Sequence, residues 1–196
     1  MTVALVFTER RADLTESRTR NFERLRSVLA DAGAEVEESW YEDVDPARLA
    51  RADAIVLSGS SAPWSVRGVA ELERLGDAVR IAGRPVLGIC AGLQLLTRFA
   101  GGTVAAAAAP ERGLLPIEVR DGSDLFRGLP AELVVFHDHT DEVTDLPVGF
   151  RILASSATCA VQAIADRGRR WWATQFHPEE SPDGERIFRT FLELAR

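Results

Sequence analysis

A cysteine, a histidine, a glutamate and the glycines that make room for them are the residues of this chain best placed to break a covalent bond. Cys90 stands in the stretch Pro85-Val86-Leu87-Gly88-Ile89-Cys90-Ala91-Gly92-Leu93-Gln94-Leu95-Leu96. An apolar run suited to a buried strand leads into it, and an amphipathic run of helical period follows. Gly88 and Gly92 flank it two residues away on either side. This is the pattern of a nucleophile elbow, where small neighbours permit a strained turn that lifts a reactive atom clear of a sheet. Unpaired N–H groups at the start of the next helix favour a thiolate and can stabilise a developing oxyanion. A cysteine after an apolar strand is ordinarily a small buried hydrophobe. The paired glycines and the strand-to-helix switch weigh against that reading here.

A second segment supplies a base. Gln175-Phe176-His177-Pro178-Glu179 closes a strand-like run, residues 171–176, and puts His177 at the carboxyl edge where parallel sheets carry their sites. Glu179, across a proline-stiffened turn, can accept a hydrogen bond from the far imidazole nitrogen, which fixes the tautomer and favours the imidazolium. His137 and His139, two apart in a strand, could share a face. With Cys90 they raise the question of a metal, but no cysteine or repeated-carboxylate spacing supports zinc, and neither metal nor cofactor is expected. Leu57-Ser58-Gly59-Ser60-Ser61 follows a strand but lacks the lysine and glycine spacing of a phosphate loop. Its better use is to present a backbone N–H above Cys90.

The elements that must position these groups alternate. Strands are expected at residues 3–7, 36–40, 54–57 and 85–89, with helices at about 18–31, 46–52 and 66–81 between them and another following Cys90. That rhythm indicates βαβ units around a parallel sheet. In the second half the strand-like runs 102–105, 114–119, 133–137, 151–154, 161–164 and 171–176 are joined by turns too short for crossover helices, so antiparallel pairing is expected there. A last helix covers residues 184–194. The fold class is therefore α/β: a mostly parallel open sheet with helices on both faces and added antiparallel strands in the second half. With no repeat and no linker, residues 1–196 read as a single domain.

Composition narrows the function classes. The chain has 196 residues and a formal charge of −7, and all of its basic residues are arginines. Without lysine, no side chain can hold pyridoxal phosphate or form a Schiff base. The acidic balance weighs against nonspecific nucleic-acid binding. No run approaches the roughly 20 apolar residues needed to cross a bilayer. Two cysteines give no disulfide framework, and the N-terminal run reads as a first strand, so the expected location is the cytoplasm.

Together, Gly88-Ile89-Cys90-Ala91-Gly92-Leu93-Gln94 and Gln175-Phe176-His177-Pro178-Glu179 resemble the class I, or triad, glutamine amidotransferases. The likeness covers nearly the whole chain. Within that family, Phe136-His137-Asp138-His139-Thr140-Asp141-Glu142-Val143 and the segments after it are most similar to separate glutaminase subunits of the GMP synthase kind. The resemblance implies a flavodoxin-like fold and the hydrolysis of L-glutamine to glutamate and ammonia. It makes Cys90 the nucleophile, His177 the base and later acid, and Glu179 the orienting carboxylate. The backbone N–H groups of Ser60 and Ala91 would form the oxyanion hole, with Gly59 and Gln94 lining the substrate pocket. His139 would lie near the face that meets a synthetase. Since the chain has no P-loop and no room for an ATP-using domain, a separate synthetase would consume the ammonia. The family's usual Ser-Gly-Gly-Pro is here Ser58-Gly59-Ser60-Ser61, and glycine reaches some peptide orientations that serine does not. On that ground the Ser60 N–H is expected to be turned away from Cys90 until a partner docks. Two other functions fit the same residues: a stand-alone γ-glutamyl hydrolase using the same triad, and a non-catalytic regulatory component that has kept the fold.

Overall fold

The protein is described by a computed structural model covering residues 1–196, the side chain of Ser65 excepted. Its first half alternates as the apolar pattern demands. Strands β1 (Thr2–Phe7), β2 (Glu35–Trp40), β3 (Ala54–Leu57) and β4 (Val86–Ile89) are connected through helices α1 (Glu16–Asp31), α2 (Pro46–Arg51) and α3 (Val69–Ala82). Helix α4 (Ala91–Phe99) then leads into the long strands β5 (Thr103–Val119) and β6 (Glu132–Asp145). Strands β7 (Arg151–Ser155), β8 (Ala163–Asp166) and β9 (Trp171–Thr174) and helix α5 (Gly184–Leu194) complete the chain. One sheet holds all nine strands in the order β2-β1-β3-β4-β9-β8-β7-β5-β6. Pairing is parallel from β2 across to β9 and antiparallel beyond it.

Period-two alternation sends successive side chains of β1 to opposite faces. Val3, Leu5 and Phe7 pack with α1 and α5 through Phe22, Leu25, Leu29, Phe188 and Phe191. Ala4 and Val6 pack with α2, α3 and α4 through Leu49, Leu75, Val79, Leu93 and Leu96. Strands β3 and β4 are buried on both faces, which is why they read as unbroken apolar runs. Helix α1 begins at Thr15, whose side chain accepts from the Arg18 N–H at 3.3 Å, and α3 ends on Gly83 in the left-handed region.

Two differences from the sequence expectation matter for the site. The runs at 102–105 and 114–119 are one strand, β5, whose register against β6 breaks between Ala106 and Glu111. The alanine-rich stretch has no apolar alternation to reveal that it continues as a strand. The strand expected at 161–164 instead begins at Ala163, where its pairing with β7 breaks register between Ile152 and Ala154.

Candidate active site

The carboxyl ends of β1, β3, β4 and β9 meet along one edge, and the chemistry-bearing residues lie there. Cys90 follows β4 directly and caps α4 with φ 51° and ψ −104°. A β-carbon in that region is strained, and strain of this kind persists only where the surroundings enforce it. They do so through two glycines. A Cβ on Gly88 would lie 2.6 Å from the Gly92 backbone, and one on Gly92 would lie 2.5 Å from the Leu57 carbonyl oxygen. The Cys90 N–H donates to the Thr174 carbonyl of β9 at 2.7 Å, tying the elbow to the strand that leads to His177.

Three residues beyond β9, His177 opens a short 3-10 turn, Pro178–Glu180. Its Nδ1 lies 2.9 Å from Glu179 Oε1, and the ring and Cys90 line the same cleft. Burial alone would push this imidazolium toward its neutral form. The charges of Glu179 and Cys90 outweigh that, and the His177 pKa stands well above its ordinary value. The His177 N–H donates to the Phe136 carbonyl at 2.8 Å, so β6 also holds this histidine in place. Gly59 sits against both groups: a Cβ there would be 2.8 Å from His177 Cε1 and 3.5 Å from Cys90 Cβ.

Above Cys90 opens a cleft of ≈ 660 Å³, bordered by Ser60, Gln94, Arg112, Asp138, His139 and His177 among others. Gln94, on α4, donates through Nε2 to the Asp141 carbonyl at 3.0 Å and to Gln175 Oε1 at 3.2 Å. Gln175 Nε2 in turn points at Cys90 Sγ from 3.7 Å. Sequence reasoning assigned Gln175 no role, although its place beside the histidine motif was a usable signal.

The peptide ahead of Ser60 is fixed by hydroxyl groups. Thr8 Oγ1 and Ser58 Oγ both donate to the Gly59 carbonyl, at 3.3 and 2.9 Å. Thr8 follows β1, which flanks β3 on one side, and Cys90 follows β4, which flanks it on the other. In a planar trans peptide the C=O and N–H point in opposite directions. A Gly59 carbonyl turned toward β1 therefore turns the Ser60 N–H away from β1. Ser60 reaches this without entering the left-handed region, where only Cys90 and Arg170 are found among the described non-glycine residues. Hydroxyls of Thr8, beyond the neighbouring strand, and of Ser58, next in the chain, thus act on this peptide in addition to the residue's own conformational freedom.

His137 and His139 do share a face, and the fold adds a carboxylate that sequence spacing did not reveal. Glu111, from β5, is buried between them. Its Oε1 accepts from Ser156 Oγ and Thr158 Oγ1, and its Oε2 meets Gln162 Nε2 and His139 Nε2. With two donors on each oxygen, Glu111 is the centre of a hydrogen-bond hub that reaches the cleft wall through His139, whose Nδ1 lies 3.2 Å from the Asp141 carbonyl. Burial works against the Glu111 charge, but these donors prevail and hold its pKa below the usual carboxylate value. His137 is fully buried, and neither ring nitrogen has a hydrogen-bond partner. Burial lowers its pKa to about 4.

A histidine neutral in the folded chain and protonated in the unfolded one weakens the fold as pH drops from its ordinary value toward about 4. His137→Gln should therefore flatten the acid limb of stability by up to about 1.4 kcal/mol per pH unit. Glu111 and His139 face the position in both proteins and largely cancel in the difference. Urea unfolding of both proteins between pH 4 and 7 checks this, and parallel limbs would contradict it.

Comparison with known proteins agrees with this geometry. The family model described as glutamine amidotransferase class-I matches residues 14–194. The chain is 39% identical over 155 residues to a protein of Thermoplasma acidophilum named as a glutamine-hydrolyzing GMP synthase subunit, covering 78% of this chain and 77% of that one. It is also 39% identical over 149 residues to the protein of the same name from Sulfurisphaera tokodaii, covering 74% and 77%. A solved T. acidophilum structure, provisionally described as a GMP synthase subunit, superimposes with a TM-score of 0.87 at 32% identity, covering 100% of this chain and 94% of that one. A Thermotoga maritima glutamine amidotransferase shares the fold at a TM-score of 0.73 and 19% identity, covering 98% and 83%. The strained cysteine, the facing histidine and these likenesses agree: the chain belongs to the class I glutamine amidotransferases.

Proposed function

We propose that this chain is the glutaminase component of a GMP synthase-like amidotransferase, releasing ammonia from L-glutamine for a separate synthetase. The observation that carries the reading is the buried line Glu179–His177–Cys90, with the cysteine on a strained elbow at the floor of a cleft. His177 takes the Cys90 proton and the thiolate attacks the amide carbon. The oxyanion rests on the N–H groups of Ser60 and Ala91. Ammonia leaves with the proton from His177, and water then hydrolyses the glutamyl-thioester with the same residue acting as base. The wall carries charges of both signs, with Arg112 3.8 Å from Asp138, which suits the zwitterionic end of an amino-acid substrate.

The partner assignment rests on the relatives' names as subunits and on the absence of a P-loop from the sequence. One continuous nine-stranded sheet supports a single domain over residues 1–196. Among the described residues no helix is long and apolar enough to cross a membrane. Both cysteines are free, which suits a reducing compartment such as the cytoplasm.

A glutamine-like electrophile tests the reading. 6-Diazo-5-oxo-norleucine should label Cys90 alone, with an equivalent loss of ammonia release from glutamine. Cys159 should stay unmodified, since burial pushes its thiol up to about 12 and keeps it protonated. Peptide mapping that finds the adduct on Cys159, or a fully labelled protein that still releases ammonia, would overturn the assignment.

A further inference from the structure

Glu9 lies directly beyond β1 and is completely buried, yet the reaction gives it no part. Its two oxygens are met by three donors from the loop after β3. Ser60 Oγ lies 3.0 Å from Oε1, while the Ser61 N–H at 2.9 Å and Ser61 Oγ at 3.0 Å meet Oε2. Arg18 Nε, on the cleft rim, approaches Oε2 at 3.8 Å. Beside it the Thr8 hydroxyl holds the Ser58 and Gly59 carbonyls. At the far end of the loop, Arg67 donates to the Ala62 carbonyl through Nε at 3.3 Å and Nη2 at 3.2 Å. The loop is therefore gripped on both sides of the Gly59–Ser60 peptide.

We infer that Glu9 is a positioning residue for catalysis: its carboxylate clamps Ser60 and Ser61 so that the Ser60 N–H is already aimed at the oxyanion before glutamine arrives. The inference rests on the proposed glutaminase reaction and on the Ser60 N–H as an oxyanion donor. A carboxylate suits the task because it only accepts, and the loop offers it only donors. Burial opposes the charge on Glu9, but the Ser61 N–H, the two hydroxyls and Arg18 outweigh it and keep its pKa below the usual value. The clamp explains how a Ser-Ser loop can serve where conformational freedom would favour glycine. It also means that the oxyanion peptide is set by contacts within this chain.

The effect separates from nucleophile damage because two reactions of Cys90 make different demands. Attack on an amide builds negative charge on oxygen, whereas alkylation by iodoacetamide displaces iodide from a tetrahedral carbon and builds none there. Glu9→Ala should lower kcat for glutamine at least about tenfold, approaching the 10²–10³ of outright donor loss, with KM within about threefold. The rate of Cys90 alkylation by iodoacetamide should stay within about twofold of wild type. Glu9→Gln, which retains one acceptor oxygen but turns an NH₂ toward the loop donors, should fall between wild type and Glu9→Ala.

If Glu9→Ala does not fold, the double substitution Ser60→Ala/Ser61→Ala carries the test on the same criteria, since it leaves the carboxylate and the Ser61 N–H in place. A kcat equal to or above wild type overturns the inference, as does a parallel fall of kcat and alkylation. A wild-type protein that releases no ammonia from glutamine, with or without its synthetase, would instead overturn the glutaminase reading beneath it.

Discussion

Replacing His177 by alanine should reduce glutamine hydrolysis by about 10⁴-fold or more while leaving the fold intact, because the residue is both the acceptor and the donor of the travelling proton. The ring is held by Glu179 and lines the same cleft as Cys90, and its removal takes away the titrating group whose charge is coupled to the thiol. Cys90→Ser should fall as far, since effects of residues that act as one unit do not add. Glu179→Gln should cost less, because Glu179 orients the base and stabilises its charged form without moving the proton. Single-turnover release of ammonia, measured with circular dichroism as a check on folding, decides the order. Near-normal turnover by His177→Ala would remove the triad.

The second large effect is expected at a residue with no side chain. Gly59→Ala places a methyl group 2.8 Å from His177 Cε1 and 3.5 Å from Cys90 Cβ. Neither neighbour can swing away without leaving its working position, because His177 is held by Glu179 Oε1 and by the Phe136 carbonyl. A displacement of about 1 Å in a reacting group can cost about 100-fold in rate, and a loss of that size in kcat is expected. Stability should change far less, since Gly59 is not among the left-handed glycines and alanine fits its backbone. Paired measurements of kcat and thermal midpoint check this. An unchanged kcat would mean that the His177 ring is free to shift without penalty.

Both predictions involve residues that the sequence pointed to, and that is a consequence of locality. The elbow is a continuous segment in which strand, glycine, cysteine, glycine and helix follow one another, so spacing alone encodes the turn. His177 and Glu179 are two residues apart, and the rigid turn between them sets their hydrogen bond with little help from elsewhere. The parallel half of the sheet was equally legible, because doubly buried strands appear as apolar runs and amphipathic helices show their period.

What the linear chain concealed was every contact whose partners lie far apart along it. Glu9 reaches Ser60 and Ser61 across 51 and 52 residues, Glu111 reaches Gln162 across 51, and Gln175 reaches Cys90 across 85. Taken singly, Glu9 is an acid after a strand and Glu111 an acid beside an alanine run, and nothing local marks either as buried. The Ser60 peptide shows the same limit most sharply. Residue type predicted that it would face away, because local conformational cost was the only physics available from sequence. Folding placed β1 beside β3 and delivered Thr8 and Glu9 to the loop, and their hydrogen bonds to it are forces that residue type alone does not show. The chain by itself therefore determined the chemistry, through the types and spacing of Cys90, His177 and Glu179. Only the tertiary structure decided how the peptide and the cleft around them are held, because those forces act between strands that are neighbours in space and not in sequence.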